Sequence, residues 1–317
     1  MKIRHCTILT ALAFFGCIAA RAQQVDQTAL SFDLSYHFTQ GDRFQIKQHS
    51  QQDSYLTVDG VESRTTNGQD GVLELTVDTV TGNQATLTAS FKEISLLSSN
   101  RDQHISVNTT TDDQGTYNRL FKAMTGKDFT IVLEQNGTVK SVSGLEAIFD
   151  QMIAAVPEVK VTERATLKQF LESQYGPEAL KFAFSFVLPS YPARSVQLNG
   201  SWMNQLYTGG FYSGRLQNYW KLDYGDKYAI KLSNKGNFST DSTQEVDMGG
   251  GQKGFVDLKG EVKGQYVIDP ETDWPTMCIS HMELGGNYIY ENKKHKKKNI
   301  LVPVRMVKDV SYQFKHL

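Results

Sequence analysis

The chain has 317 residues, of which 39% are hydrophobic and 21% charged, so it is long enough to bury a core in one large domain or two smaller ones. Its formal net charge of −1 gives no electrostatic bias toward nucleic acid, and we expect no nucleic-acid partner. Two of its three cysteines, Cys6 and Cys17, lie within the first 22 residues, so the rest of the chain cannot form an internal disulfide.

Residues 1–22 have the pattern of a secretory signal peptide. Lys2 and Arg4 precede an apolar run, and an Ala-Arg-Ala sequence follows it as a cleavage site. We therefore expect an exported protein whose mature part covers residues 23–317. The alternative is a lipoprotein anchored at Cys17, which the two aromatic residues shortly before that cysteine disfavour.

Residues 30–142 are predicted to form a first β-rich part. Apolar and polar residues alternate in 71–77 and in 85–91, which is typical of antiparallel strands with one solvated face. The clearest hairpin spans 129–142, where Gln-Asn-Gly joins two short strands. A short helix is also expected near 119–125.

Residues 143–188 are predicted to be mainly helical. Ser143 followed by Glu146 is a capping-box sequence, and the apolar residues of 145–156 recur at helical spacing. A second helix is expected at about 162–175.

The segment after Pro177 is ambiguous. Phe182, Phe184 and Phe186 alternate by two, as in a strand, although the segment also has helical character. The periodicity leaves a third helix and a strand both open.

Residues 196–317 are predicted to form a second β-rich part. The segments expected to be extended are 202–207, 218–224, 227–233, 254–258, 264–268, 277–284, 288–291 and 301–314. The heptapeptide GDRFQIK at 41–47 returns as GDKYAIK at 225–231, which indicates either two related β-sheets or a turn sequence used twice by chance.

The predicted fold class is α+β. It consists mainly of antiparallel β-sheet, curved or half-barrel-like, with two or three helices in the middle of the chain. We expect residues 23–317 to form a single compact unit.

Several stretches resemble a known family. They are RLFKAMTGKDFT at 119–130, LEQNGTVKSVSGLE at 133–146 and LPSYP at 188–192. They resemble an uncharacterised family of exported Bacteroidota proteins that is known only as a domain of unknown function. The resemblance implies the periplasm or an association with the outer membrane of a Gram-negative bacterium. The expected architecture is also similar to the periplasmic lipoprotein-carrier fold, in which helices cover a concave sheet.

No catalytic or metal-binding arrangement can be assembled from the sequence. Cys278 and His281 are three residues apart on an expected strand, so their side chains point to opposite faces. A buried free cysteine is the better interpretation of Cys278. The histidines lack ligand spacing, so we expect no metal, no cofactor and no enzymatic activity.

The apolar stripe of 145–156 either covers the core or forms a lid over a cavity large enough for an acyl chain. In the second case the ligand, a hydrophobic small molecule or a lipid, lies between the sheet and the helices. The residues expected to line it are Phe149, Met152, Phe170, Phe182, Phe184 and Trp202.

A basic run near the C-terminus is the sharpest charge feature. It either contacts an anionic membrane surface or forms a solvated hairpin tip. Its lysines are Lys293, Lys294, Lys296, Lys297 and Lys298.

These observations predict a non-enzymatic exported envelope protein that binds a hydrophobic ligand such as a lipid. The alternative is a structural or protein-interaction envelope protein without a ligand cavity.

Overall fold

The computed structural model describes residues 30–248, 252–290 and 299–317. The strands of these residues are β1 (Ser31–Phe32), β2 (Arg43–Val58), β3 (Val61–Thr81), β4 (Gln84–Ser99), β5 (His104–Asn108), β6 (Asp128–Glu134), β7 (Val139–Ser143), β8 (Val196–Gln197), β9 (Ser201–Thr208), β10 (Gly214–Gly225), β11 (Ile230–Thr240), β12 (Val246–Asp247), β13 (Lys253–Ile268), β14 (Pro275–Tyr290) and β15 (Ile300–His316). The helices are α1 (Thr116–Lys122), α2 (Leu145–Ala154), α3 (Val161–Tyr175) and α4 (Pro177–Val187), with a 3₁₀ turn at Gly210–Tyr212.

Thirteen of the described strands form one antiparallel sheet. Its order is β7-β6-β4-β3-β2-β15-β14-β13-β11-β10-β9, with β5 beside β4 and β12 beside β13, while β1 pairs with β8 separately. The first long strand, β2, pairs with the last, β15, from Phe44 opposite His316 to Leu56 opposite Val304. The predicted α+β class is therefore confirmed, and the two β-rich parts form one sheet rather than two.

Local sequence explains the turns of this sheet. Asp59 and Gly60, between β2 and β3, both have positive φ (51° and 78°), as the tightest hairpin turns require. Gly137 has φ 84° in the turn between β6 and β7. The predicted hairpin at 129–142 is confirmed.

The strands of the second β-rich part are longer than predicted. The segments 254–258 and 264–268 belong to the single strand β13, and 277–284 continues through 288–290 in β14. The glycines between these predicted segments do not interrupt the strands. They lie where neighbouring backbones approach each other closely. A Cβ on Gly260 would lie 1.9 Å from the carbonyl oxygen of Glu283.

The sheet curls around the helices. α4 contacts both β7 and β9, which are the edge strands at opposite ends of the strand order. One helix can touch both edges only if the sheet bends strongly, so the face toward α4 is concave. α3 packs against α2 on one side and α4 on the other.

The helical segment confirms the expected helices, and only the predicted start of α2 is wrong. The segment after Pro177, for which a helix and a strand were both open, is the helix α4. Pro177 lies in its first turn, where the backbone N–H has no partner within the helix. The capping box is wrong, because Ser143 ends β7. Gly144, with φ 88°, caps α2 without a side-chain hydrogen bond. In the part of the chain that the structure describes, no helix is long and apolar enough to cross a membrane.

Candidate functional site

Three of the predicted ligand-binding residues lie in the main core, the set of side chains buried around Phe44, Leu75 and Trp220. Phe149 and Met152 of α2 are 1% and 0% exposed. Phe184 of α4 is also buried there. All three side chains belong to the packed core, so a ligand at their position would have to displace them.

Trp202 lies at the margin of the main core. It is partly buried, its Nε1–H donates a hydrogen bond to the carbonyl of Ser190 (2.6 Å), and its ring stacks on Trp220 at 6.3 Å between ring centroids. These contacts give it a structural role between β9 and the chain after α4.

Phe170 does not reach the interior. It is 51% exposed, whereas the next residue, Leu171, is fully buried. Neighbouring helical residues point about 100° apart, so a helix that turns Leu171 inward holds Phe170 toward solvent.

A second apolar cluster lies on the concave face of β10–β15, and it contains the remaining predicted residue, Phe182. Its buried members in the described residues are Leu216, Phe238, Val256, Leu258, Val262, Leu284, Tyr288, Val302, Val304 and Met306. Its partly buried members are Leu56, Phe182, Phe186, Leu206, Phe211, Tyr212, Val246, Met248, Met282 and Tyr290. We call this set the second cluster.

The second cluster is less completely covered than the main core. Ten of its described apolar side chains are buried and ten are only partly buried, against 41 and 12 in the main core. It also contains three methionines, Met248, Met282 and Met306, whose flexible side chains adapt to varied shapes.

α4 joins the two apolar regions. Phe184 points into the main core, while Phe182 and Phe186, one turn apart, contact the second cluster. Their rings meet edge to face at 4.8 Å, and Phe182 lies 6.4 Å from Phe238 of β11. The alternation of phenylalanines is thus a helix with two apolar faces.

A polar seam, formed by Ser50, Asn218, Asn234 and Ser280, separates the main core from the second cluster. All four residues are buried. Asn234 Nδ2 donates to Asn218 Oδ1 (3.2 Å), but the buried Asn234 Oδ1 has no hydrogen-bond partner among the described residues. Gly264 makes room for it, because a Cβ there would lie 2.3 Å from that oxygen.

Lys308 places one charge beside this seam. It lies on β15 with Met282 of β14 and Gln52 of β2 opposite it, on the concave face. Burial lowers the pKa of its ammonium group from the ordinary value of lysine. Sequence reasoning did not single out this residue.

The outer face of the sheet is polar and carries a groove of about 750 Å³. His281 Nδ1 lies 2.8 Å from Asp309 Oδ1, and His49 Nδ1 lies 2.5 Å from Asp70 Oδ1, both pairs being exposed. No group of three or more metal-ligating side chains occurs in the described ranges. Because this groove carries solvent-exposed charges of both signs, we expect it to have little selectivity for a charged ligand.

Cys278 lies on the opposite face from His281, as the strand alternation predicts. The free thiol is 0% exposed and donates to the carbonyl of Phe186 (3.4 Å). Burial raises its pKa to about 12.

We therefore expect Cys278 to be inert toward thiol reagents in the folded protein. Raising the pKa from 9.0 to about 12 lowers the reactive thiolate fraction at pH 8 about a thousandfold, before any effect of steric protection. Labelling by a chromogenic disulfide should be negligible at pH 8 and reach one thiol per mature chain in guanidinium chloride. Rapid labelling without denaturant would contradict the buried position.

The predicted anionic-surface contacts, Lys293, Lys294, Lys296, Lys297 and Lys298, lie outside the described residues.

Comparison with known proteins identifies a family and distant structural likenesses. A family model described as "Family of unknown function (DUF6263)" matches residues 82–275, which is more than half of the chain. No curated protein matches the sequence.

Among solved structures, a lipovitellin studied for lipid–protein interactions is similar with a TM-score of 0.43 and 10% identity, over 88% of this chain and 26% of that one. An outer membrane channel from Pseudomonas putida F1 has a TM-score of 0.27 and 4% identity, over 88% and 97%. The attachment invasion protein Ail of Yersinia pestis has a TM-score of 0.17 and 11% identity, over 87% and 100%. The chain spans about a quarter of the length of lipovitellin.

Proposed function

We propose that this chain, which belongs to the family of unknown function DUF6263, is a non-enzymatic exported envelope protein that binds the apolar part of a ligand on its second cluster. The signal-peptide pattern of residues 1–22 supports export. The observation that carries the proposal is the incomplete cover of the second cluster on a concave surface.

The physical basis is the apolar area that this surface leaves in contact with water. Burying such area is worth about 25 cal/mol per Å². An acyl chain laid along the second cluster would remove water from both partners. The rings of Phe182 and Phe186 would then cover it from the side of α4, while Met248 and Met282 adjust to its shape.

This location differs from the one expected between α2 and the sheet. There Phe149 and Met152 are completely packed, whereas Phe182 keeps part of its surface free beside the second cluster. We therefore assign Phe149 and Met152 to the core, and Phe182 and Phe186 to the ligand-binding surface.

The test is the lipid content of the mature protein, purified from its native source without detergent. After denaturation and extraction with organic solvent, mass spectrometry should find about one lipid per chain. Phe182→Asp places a charge against the second cluster and should lower that content at least tenfold. Phe170→Asp makes the same change on the exposed face of α3 and should leave it unchanged.

The thermal unfolding midpoint of each variant shows whether it is folded. A Phe182→Asp protein that unfolds like the wild type and still retains its lipid would contradict the assignment of the site. An extract no richer than that of an unrelated protein prepared in parallel would contradict ligand binding. That result would favour a structural or protein-interaction role.

A further inference from the structure

Among the described residues of β2, β13, β14 and β15, the concave face carries a single lysine and no arginine, aspartate or glutamate. On β2, β13, β14 and β15, the even-numbered residues face inward along most of each strand, as the burial alternation shows. None of these inward positions holds aspartate or glutamate, and Lys308 is the one lysine among them. The neighbouring acids Asp53, Glu283 and Asp309 have odd numbers and project from the outer face.

Lys308 has no counter-charge in the described parts of the chain. No ion pair there includes it, and no hydrogen bond is found for its ammonium group. Gln52, directly opposite on β2, turns its amide toward Ser54 Oγ at 3.1 Å. The protein surrounds this ammonium group enough to lower its pKa.

Nothing in the packing requires a lysine at this position. Its inward neighbours along β15 are Met306 and Val310, and across the sheet lies Met282. A methionine at 308 would continue this apolar surface without the cost of desolvating a cation, which an opposite charge must offset. The position is at the boundary between the second cluster and the polar seam.

We propose that Lys308 binds the anionic head group, a carboxylate or a phosphate, of an amphipathic ligand whose apolar chain lies on the second cluster. This inference rests on the proposed function and names the ligand class of the same site. The ammonium group supplies the opposite charge. The nearest members of the polar seam, Ser50 of β2 and Ser280 of β14, both lie opposite Val310, the next inward residue of β15, and their hydroxyl groups offer hydrogen bonds to further polar groups of the ligand.

The experiment compares three ligands with one alkyl chain and different head groups. Delipidated mature protein is titrated at pH 7 with dodecanoate, dodecyl phosphate and dodecanol, and binding is followed by calorimetry. A charge-assisted hydrogen bond is worth about 1.5–3 kcal/mol, so an anion should bind about 10- to 100-fold more tightly than dodecanol. The stronger of the two anions distinguishes a carboxylate from a phosphate head group.

The variants separate the charge from the apolar site. Lys308→Met should abolish the preference for anions and leave dodecanol affinity unchanged, while Lys308→Arg should keep the preference. Lys315→Met, on the exposed outer face of the same strand, is the matched control and should behave as the wild type. If Lys308→Met fails to fold, Lys308→Gln gives the same comparison.

The outcomes distinguish the two proposals. Equal affinity of the wild type for anions and dodecanol, or an unchanged anion preference in folded Lys308→Met, overturns the role of Lys308 while apolar binding stands. Failure of all three ligands to bind the wild type overturns the proposed function and the anchor with it.

Discussion

Replacing Phe44 with alanine should lower the free energy of unfolding by about 3–5 kcal/mol, whereas Tyr228→Ala should change it by less than about 1 kcal/mol. The two aromatic residues occupy the same place in the repeated heptapeptides GDRFQIK and GDKYAIK. Phe44 is 2% exposed and Tyr228 is 76% exposed. Urea denaturation of both variants, followed by tyrosine and tryptophan fluorescence, measures the difference.

The large loss at Phe44 follows from what its ring contacts. It stacks on Trp274 at 4.1 Å and on His316 at 5.0 Å, and Trp274 also meets Tyr36 at 5.0 Å. The indole N–H of Trp274 donates to the carbonyl of His37 (3.2 Å). This cluster joins the chain before β2, the loop between β13 and β14, and the end of β15.

A double-mutant cycle with Trp274→Ala separates the stacking from the loss of volume. Coupling of about 0.5–1.5 kcal/mol between Phe44 and Trp274 is expected for an aromatic pair. Equal destabilisation by Phe44→Ala and Tyr228→Ala would show that the two heptapeptides are energetically equivalent, against the burial difference.

The heptapeptides illustrate which features local sequence can predict. Gly-Asp lies at a turn in both copies, but the turns differ. Gly41, with φ 91°, comes just before β2, which begins at residue 43. At the second copy Gly225 ends β10 and the turn continues through 226–229, so the extended segment predicted at 227–233 begins only at Ile230. Whether the aromatic residue that follows is buried depends on what packs over it, and Trp274 comes from more than 200 residues away. The Gly-Asp sequence indicates a nearby turn, but it fixes neither the residue at which the next strand begins nor what packs over that strand.

The order of the sheet could not be predicted for the same reason. Hairpins such as β6–β7 are specified by the residues between their strands, whereas pairing of β2 with β15 joins the two ends of the chain. Hydrophobic alternation shows that each strand has an apolar face, but it does not show which other strand pairs with it. The helical stripe of 145–156 was visible because it is contiguous.

Apart from Phe182, the residues of the candidate site were not predicted, because they are distributed over many strands. Its signal was nevertheless present in β15, where Val302, Val304, Met306 and Val310 alternate and Lys308 interrupts the apolar series. A single charged residue in such a series indicates one of two things. Either the strand twists so that this side chain points to solvent, or the side chain has a function on the inner face of the sheet. Only the register of the neighbouring strands decides between them.

The glycine pair between β13 and β15 leads to a prediction as sharp as that for Phe44. Gly286→Ala should destabilise the protein by about 3 kcal/mol or more, while Gly285→Ala should have an effect within about 1 kcal/mol. A Cβ on Gly286 would lie 1.9 Å from the carbonyl oxygen of Asp257, in a backbone conformation with φ 155° that only glycine adopts readily. A Cβ on Gly285 would meet its nearest neighbour, the carbonyl oxygen of Val304, at 3.9 Å.

The difference arises because β14 approaches the backbone of β13 closely at Gly286 and leaves room at Gly285. Gly286 lies opposite Leu258 of β13 and Val304 of β15, so a methyl group at 286 would push β13 away in the middle of the second cluster. Thermal and urea unfolding of the two adjacent variants measures the stability, and the lipid content of Gly286→Ala measures the site. We expect Gly286→Ala to lose both stability and bound lipid, and Gly285→Ala to keep both. Equal stability of the two would show that β13 and β14 do not approach as closely as described, which would remove the rigid floor that the second cluster provides for a ligand.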